Sequence, residues 1–259
     1  MGCTFKTLRV VYGDFTHWCS WGRFDTVFSY AQGGLESLVK NGYEWLYRCP
    51  KPTFWRATTD NDRGSKFHIK SGSWLAADMF IECKDVEVIT DGKSQGKPCA
   101  PENNKYGGDV FAENVIVKYV YETITTPATT VEVVYSVDNK GKIAVNVSYK
   151  GAKGLPQLPV FGLRFIMPTL ADKYTYEGLS GETYPDRMAG AEKGIFEIDD
   201  ISLTNYLVPQ ECGMRMGTEW LEVTRHTSLN NCRKGNSNQI LRIEKKDKGF
   251  AFFLSALYS

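Results

Sequence analysis

The chain has 259 residues, of which 42% are hydrophobic and 13% aromatic, and its 31 basic residues nearly balance 30 acidic ones. A formal net charge of +1 favours neither nucleic acid, nor an anionic membrane, nor a polyacidic partner. The longest apolar runs end well before the about 18 to 20 residues that cross a bilayer. Since the N-terminus also lacks the apolar stretch of a secretory signal, we predict a cytoplasmic protein.

Alternation of apolar and polar residues predicts strands along most of the chain. The first of three predicted hairpins joins 35–40 to 43–48 through Asn41 and Gly42, which suit a type I′ turn. The second joins 131–137 to 143–149, and the third joins 239–244 to 250–254. Single strands are predicted at 8–12, 85–89, 115–123, 158–167 and 220–225.

The only helical window begins at Ser73 as a possible N-cap and runs through Met79. Glycine, asparagine and proline predict a surface loop at 91–108 and a connection between sheets at 150–159. Strands without regularly alternating helices indicate an antiparallel all-β sandwich with few short helices. We expect one domain over residues 1–259.

Metal and disulfide sites are not expected in this chain. Its seven cysteines are scattered without a C-x-x-C pair, which predicts reduced thiols. The three histidines (His17, His68 and His226) do not have the spacing of a metal-binding helix.

The segment 54–64 combines residue types that recognise sugars. Aromatic faces such as that of Trp55 pack on C–H surfaces, while carboxylates, amides and arginines bind hydroxyls. From chemistry alone, a structural interpretation is favoured at this point. In it, Trp55 lies in the core, Arg56 bridges two carboxylates, and residues 60–62 form an Asx-type turn.

A second constellation, 178–188, contains Glu182 and Asp186. Retaining glycosidases need two carboxyl groups about 5 to 5.5 Å apart. These two share one loop rich in glycine and proline, and Arg187 offers a salt-bridge partner. We therefore interpret the segment as a structural turn and assign no catalytic residue to this chain.

Four segments in one order carry a resemblance: 53–64, 158–165, 178–188 and 206–211. Together they resemble the small subunit of heterodimeric lactic-acid-bacterial β-galactosidases and the final domain of single-chain family 2 β-galactosidases. The matched motif residues are Trp55, Arg56, Glu182, Tyr184, Asp186, Arg187 and Glu211.

The resemblance implies a galactose-mutarotase-like β-supersandwich that docks on a large subunit. That subunit's TIM barrel would hold two catalytic glutamates, Mg²⁺ and Na⁺, and the complex would hydrolyse or transgalactosylate lactose and other β-galactosides with retention. It also implies that a loop near the substrate site acts as a mobile gate, with Gly64 and Ser65 as its carried-over positions. This loop comprises Asp60, Asn61, Asp62, Gly64 and Ser65.

Family members continue beyond the position of Ser259 into a segment with a sugar-stacking tryptophan. We therefore expect a chain shortened at its C-terminus. Two alternatives remain: a stand-alone carbohydrate-binding module, and an aldose mutarotase-like enzyme, which would need an acid/base pair, typically histidine with glutamate.

Overall fold

The computed structural model describes residues 7–100, 110–180, 188–199, 208, 210–211, 213–227, 238–245 and 250–253. No helix in these ranges is long and apolar enough to cross a membrane. The described helices are α1 Asp60–Gly64 and α2 Phe67–Lys70, with one 3-10 turn at Gly72–Trp74. The described strands are β1 Leu8–Tyr12, β2 Thr16–Trp21, β3 Phe24–Ser29, β4 Gly34–Lys40, β5 Tyr43–Glu44, β6 Arg48–Thr53, β7 Glu82–Thr90, β8 Lys93–Gly96, β9 Val110–Ala112, β10 Asn114–Glu122, β11 Thr130–Asp138, β12 Ile143–Tyr149, β13 Gly162–Ile166, β14 Lys173–Leu179, β15 Lys193–Ile198, β16 Met214–Thr218, β17 Trp220–Arg225, β18 Gln239–Glu244 and β19 Phe250–Phe253.

The chain divides into two compact units. Unit 1 comprises Met1–Trp55 and Lys70–Met167, and unit 2 comprises Arg56–Ile69 and Pro168–Ser259. The single domain expected over residues 1–259 stays a prediction.

Unit 1 is built from two antiparallel sheets and one two-stranded ladder. The sheets have the orders β5-β4-β3-β2-β1-β9 and β12-β11-β10-β7-β8, and β13 pairs with β6. Side chains from one sheet reach the other: the Phe28 and Tyr135 rings pack edge to face with centroids 5.5 Å apart. The hydroxyl of Tyr119 donates to the carbonyl of Gly34 at 3.2 Å. The antiparallel all-β sandwich is thus confirmed.

Strict alternation in β10 and β11 supplies the centre of this core. Every second residue on these strands is fully buried, and each such side chain stabilises the fold by about 1.5–3 kcal/mol. The predicted hairpin of β11 and β12 is confirmed, with Val131 opposite Tyr149 and Val137 opposite Ile143. Because β12 is the last strand in the sheet order, its apolar face is less covered, and Val145 is 41% exposed.

The first predicted hairpin is confirmed at its turn and wrong in the length of its second arm. Asn41 and Gly42 both have positive φ, 56° and 80°, as a type I′ turn requires. Strand β5 nevertheless ends at Glu44, because one carboxylate oxygen of Glu44 accepts hydrogen bonds from the backbone N–H groups of Leu38, Trp45 and Leu46, each at 2.9 Å. The Glu44 carboxylate thereby binds the Leu38 N–H in place of a carbonyl from a neighbouring strand.

Unit 2 contains a four-stranded sheet, β15-β14-β17-β18, and the ladder β16-β19. The third predicted hairpin is wrong, since β18 pairs with β17 and β19 pairs with β16. Cross-strand side-chain contacts explain why β18 pairs with β17. Arg242 lies 4.3 Å from the ring centroid of Trp220 and pairs with Glu222 at 2.8 Å.

The helix predicted from Ser73 to Met79 is also wrong. Only the 3-10 turn forms, because Leu75 is extended and Ala76 has a positive φ of 60°. In the predicted loop 91–108, the strand β8 forms early, and residues 101–109 lie outside the described ranges. The connection 150–159 contains neither helix nor strand, as predicted.

Two glycines provide a matched test of how closely the unit 1 backbone is packed. Gly22 and Gly33 both have left-handed φ, 57° and 62°, so alanine at either position should cost about 1 kcal/mol of unfolding free energy. A Cβ at Gly22 meets nothing within 4 Å, whereas one at Gly33 would lie 2.5 Å from Cβ of Cys83. We therefore expect Gly33→Ala to cost a further 1–3 kcal/mol, roughly, through overpacking. Denaturant unfolding of both variants measures the difference, and equal losses would contradict it.

Candidate functional site

The candidate site is built on the segment that follows β6. The chain leaves unit 1 at Trp55 and enters unit 2 at Arg56. Thr59 then caps helix α1 in a reciprocal capping box. The Thr59 hydroxyl accepts from the backbone N–H of Asp62 at 3.1 Å, and the Asp62 carboxylate accepts from the backbone N–H of Thr59 at 2.8 Å. Two otherwise unpaired donors of a very short helix are satisfied in this way.

Asp62 also binds Arg56 in a two-pronged ion pair. The Nη1 and Nη2 atoms of Arg56 donate to the two carboxylate oxygens at 2.5 and 3.3 Å, and the side chains are only 8% and 10% exposed. Burial by itself would raise the pKa of Asp62. The hydrogen bonds from Arg56 and Thr59 and the positive charge of Arg56 outweigh burial, and the pKa is lowered. Asp62 is therefore ionised and holds the segment in shape.

The outer side of α1 presents polar groups to solvent. Asp60, Asn61, Gly64 and Ser65 are all exposed. Asp60 pairs with Arg63, whose guanidinium also donates to the Thr58 carbonyl at 3.3 Å. The exposed side of α1 thus offers hydroxyl, amide and carboxylate groups for recognition, while Asp62 is turned inward.

The structure brings the segment together with the motif 206–211. The backbone N–H of Asp60 donates to Oε1 of Gln210 at 3.0 Å, and the N–H of Glu211 donates to the Thr58 carbonyl at 3.4 Å. Both contacts lie within unit 2. Residues far apart in sequence therefore fix the start of α1, and Glu211 takes part through its backbone.

In unit 1 the same segment meets the motif 158–165. Gly162 of β13 lies opposite Thr53 of β6. The ring of Phe54 stacks on Trp74 at 5.3 Å and on Phe161 at 6.2 Å between centroids. Trp74 in turn donates to the Pro156 carbonyl at 3.0 Å. An aromatic cluster thus fixes the chain just before it enters unit 2.

Three structural expectations for the segment are resolved. Trp55 is half-buried and does not lie in the core; its neighbour Phe54 does, because side chains alternate along β6 and its extension. Arg56 was expected to bridge two carboxylates, and its pair with one carboxylate, that of Asp62, is observed. The Asx-type turn at 60–62 is wrong, since these residues form the first turn of α1.

Glu182, Tyr184, Asp186 and Arg187 lie outside the described residues, so the interpretation of their loop stays a prediction. Within the described ranges, no three or more His, Cys, Asp or Glu side chains are grouped to hold a metal ion. Sequence reasoning missed Thr59 and Gln210. The pattern Thr59-x-x-Asp62 is a capping signal that could have been found, whereas nothing in the sequence points to Gln210.

Two of the three histidines, His17 and His226, have partners other than glutamate in the described structure. His17 is buried in unit 1, and burial lowers its pKa to about 4, so it is neutral near pH 7. One ring nitrogen lies 3.2 Å from the sulfur of Cys19. His226 is exposed and pairs with Asp172. Neither arrangement favours the mutarotase alternative.

Asp62→Asn tests whether the buried charge holds the segment in place. Since the folded-state pKa is lowered from its ordinary 3.8, the charge stabilises the fold above that pH, and the stabilisation is lost as pH falls through the folded value. We expect a loss of about 2–3 kcal/mol near pH 7 that shrinks below about pH 4. The control Asp60→Asn, at an exposed pair, should cost less than about 1 kcal/mol. Denaturant unfolding at several pH values measures both, and a pH-independent loss for Asp62→Asn would contradict the assignment.

Comparison with known proteins places these motifs in a family. Residues 20–257 match the family described as "Beta galactosidase small chain". The β-galactosidase small subunit of Latilactobacillus sakei is 54% identical over 252 residues, which cover 97% of this chain and 79% of that protein.

Longer proteins match as well. The β-galactosidase of Clostridium acetobutylicum is 35% identical over 191 residues, 73% of this chain and 19% of that protein. The β-galactosidase of Streptococcus thermophilus is 32% identical over 219 residues, 84% of this chain and 19% of that protein. The chain thus spans about a fifth of these longer relatives. From the family match and the small-subunit relative together, the chain belongs to the β-galactosidase small-chain family.

Proposed function

We propose that this chain is the small subunit of a two-chain β-galactosidase and that it acts with a large catalytic subunit on lactose and other β-galactosides. One observation carries the proposal: the relative that is 54% identical across 97% of the chain is a β-galactosidase small subunit. Relatives in which the matching region is a fifth of one long β-galactosidase support the same division of labour.

The proposal assigns the chemistry to the large subunit. A retaining mechanism needs a nucleophile and an acid/base on opposite sides of the sugar bond. In the described part of the site, the Asp62 carboxylate binds Arg56 and caps α1, and that of Asp60 pairs with Arg63. Both therefore have structural partners. Mg²⁺ and Na⁺ are likewise expected on the large subunit, and the proposal assigns neither ion to this chain.

The segment from Asp60 to Ser65 is our candidate for the part of this chain nearest the substrate. Its exposed hydroxyl, amide and carboxylate groups suit sugar hydroxyls or an adjacent subunit loop. The anchors to Arg56 and Gln210 hold the start of α1. Gly64 ends the helix, and Lys66 just beyond it has a positive φ of 57°. We infer that movement of the gate takes place at this C-terminal end.

A cytoplasmic location belongs to the same proposal. Within the described ranges Cys19, Cys49, Cys83 and Cys99 are free thiols. Free thiols suit a reducing compartment.

The isolated chain should not hydrolyse a chromogenic β-galactoside, because the proposal places both catalytic glutamates on its partner. Adding the large subunit should restore or raise β-galactosidase activity, because the two chains then form the complete enzyme. An obligate complex of this kind usually buries more than about 2,000 Å² of surface. Turnover by a homogeneous sample of the chain would contradict the division of labour. A large subunit that is fully active and remains alone with this chain in excess would contradict the proposal as a whole.

Gly64→Ala tests the gate in the assembled enzyme. A Cβ at Gly64 meets nothing within 4 Å, so the variant should fold and should favour the helical end by about 0.5–1 kcal/mol. Biasing the gate toward one state should change kcat and KM together by about tenfold, or ~1.4 kcal/mol, with retention of configuration preserved.

Gly72→Ala is the matched control, because a Cβ there also meets nothing within 4 Å and Gly72 lies in unit 1. It should leave both constants unchanged. If kcat and KM of Gly64→Ala were unchanged in a complex shown to be assembled, the gate would be contradicted and the segment would be only a surface turn.

A further inference from the structure

Unit 1 exposes five large apolar side chains around the β6–β13 ladder. Their exposed fractions range from 44% to 75%, whereas a stable core would cover most of such side chains. Large exposed apolar surfaces are uncommon on proteins that work alone, and they mark interaction sites. We call this the apolar surface, and its members are Tyr47, Leu75, Met79, Phe80 and Phe165.

Named bonds hold the contributing stretches together. The backbone N–H of Tyr47 donates to the carbonyl of Ile166 at 2.8 Å, next to Phe165 in β13. Arg164, on the other side of Phe165, pairs with Asp78 at 3.4 Å, and Asp78 precedes Met79. Thr53 of β6 also donates to Asp78 at 3.2 Å. The five side chains therefore come from stretches that are fixed to one ladder.

The stretch 74–80 is oriented in an unusual way. Its inward positions are the fully buried Trp74 and Ala77, together with Asp78, whose side chain is only 12% exposed. Its outward positions are Leu75, Met79 and Phe80. The inward carboxylate is compensated by Arg164 and Thr53, whereas the three outward apolar side chains leave apolar surface in contact with water.

The orientation is fixed by local structure. Ala76 has a positive φ of 60°, a conformation that costs free energy for a residue with a Cβ. Trp74 donates to the Pro156 carbonyl at 3.0 Å, and the N–H of Met79 donates to the Ala76 carbonyl at 3.0 Å. A turn held by these hydrogen bonds therefore exposes Leu75, Met79 and Phe80.

We propose that the apolar surface is the docking site for the large catalytic subunit. This inference rests on the proposed function. In the Clostridium acetobutylicum and Streptococcus thermophilus relatives, the matching region is 19% of the chain, so the other four-fifths belongs to the same molecule and lies beside it. Under the proposed function, that remainder corresponds to the large subunit, and it is the partner that the apolar surface would contact.

The composition of the surface fits the centre of a permanent interface. Such interfaces have an apolar, aromatic-rich core and a polar rim, and each partner contributes about 800 Å² or more. Tyr47, Phe80 and Phe165 supply the aromatic side chains, and Met79 is the adaptable one. Arg164, whose side chain is 50% exposed, lies beside them as a rim residue. The partner should offer a complementary apolar face.

The test titrates the large subunit with Phe80→Lys and, separately, with Met79→Lys. Phe15→Lys is the matched control, because Phe15 is 67% exposed against 59% for Phe80 and lies between β1 and β2, outside the surface. All three sites are on the outside, so circular dichroism and melting temperature should match wild type. We expect Kd for the large subunit to rise at least about tenfold for both surface variants and to stay unchanged for Phe15→Lys.

The outcomes separate this inference from the function on which it rests. Wild-type chain that binds the large subunit, with surface variants that bind equally well, would overturn the docking site alone. Wild-type chain that never binds the large subunit would overturn the proposed function and the docking site with it. The third outcome is a dimer of this chain, seen by sedimentation, that Phe80→Lys dissociates both in the isolated chain and in the assembled enzyme. That result would assign the surface to self-association and overturn the proposal.

Discussion

The candidate site depends on one buried charge. Asp62 is ionised in a nearly dry position, and the cost of removing a carboxylate from water is offset only by a full set of donors. Arg56 supplies two of them and the backbone of Thr59 supplies a third. The same carboxylate therefore specifies where α1 begins, how the chain turns after β6, and which side chains face outward.

That constraint explains why so short a helix exists at all. Five residues are far below the length at which a helix is stable in water. The capping box, the Arg56 pair and the contact from Asp60 to Gln210 replace the stability that length would provide. The last turn is held by bonds within the segment, such as that from the Ser65 hydroxyl to the Asp62 carbonyl at 3.2 Å, whereas the contact from Gln210 lies at the first turn.

Local patterns were enough to predict much of the sandwich. The alternation in β11 and β12 and the Asn41–Gly42 turn each encode their own pairing, and the structure agrees. The third hairpin failed because β18 and β19 each pair with a strand that precedes them both in sequence, and adjacency along the chain carries no information about that choice. The four segments of the family resemblance were identified from the sequence, but their geometry was not.

The candidate site shows the same division. Residue type predicted that Arg56 binds carboxylates but did not single out Asp62 as its partner, and the capping pattern of Thr59 and Asp62 was present in the sequence. The contact with Gln210 depends on tertiary structure, 150 residues away. The helix expected at 73–79 failed because the backbone is extended at Leu75 and left-handed at Ala76, which residue periodicity does not reveal.

The exposed edge at β12 has a consequence for how the chain behaves at high concentration. In the described sheet order β12 is the terminal strand, and its valine-rich sequence is of the kind that recruits further strands into aggregates. Exposed lysines stand at both of its ends, Lys142 and Lys150. In an antiparallel stack centred on Asn146, Lys142 of one copy would face Lys150 of the next, and like charges opposite each other are unfavourable. Charged residues at the ends of a strand are a general device against such pairing, and Lys142 and Lys150 occupy these positions.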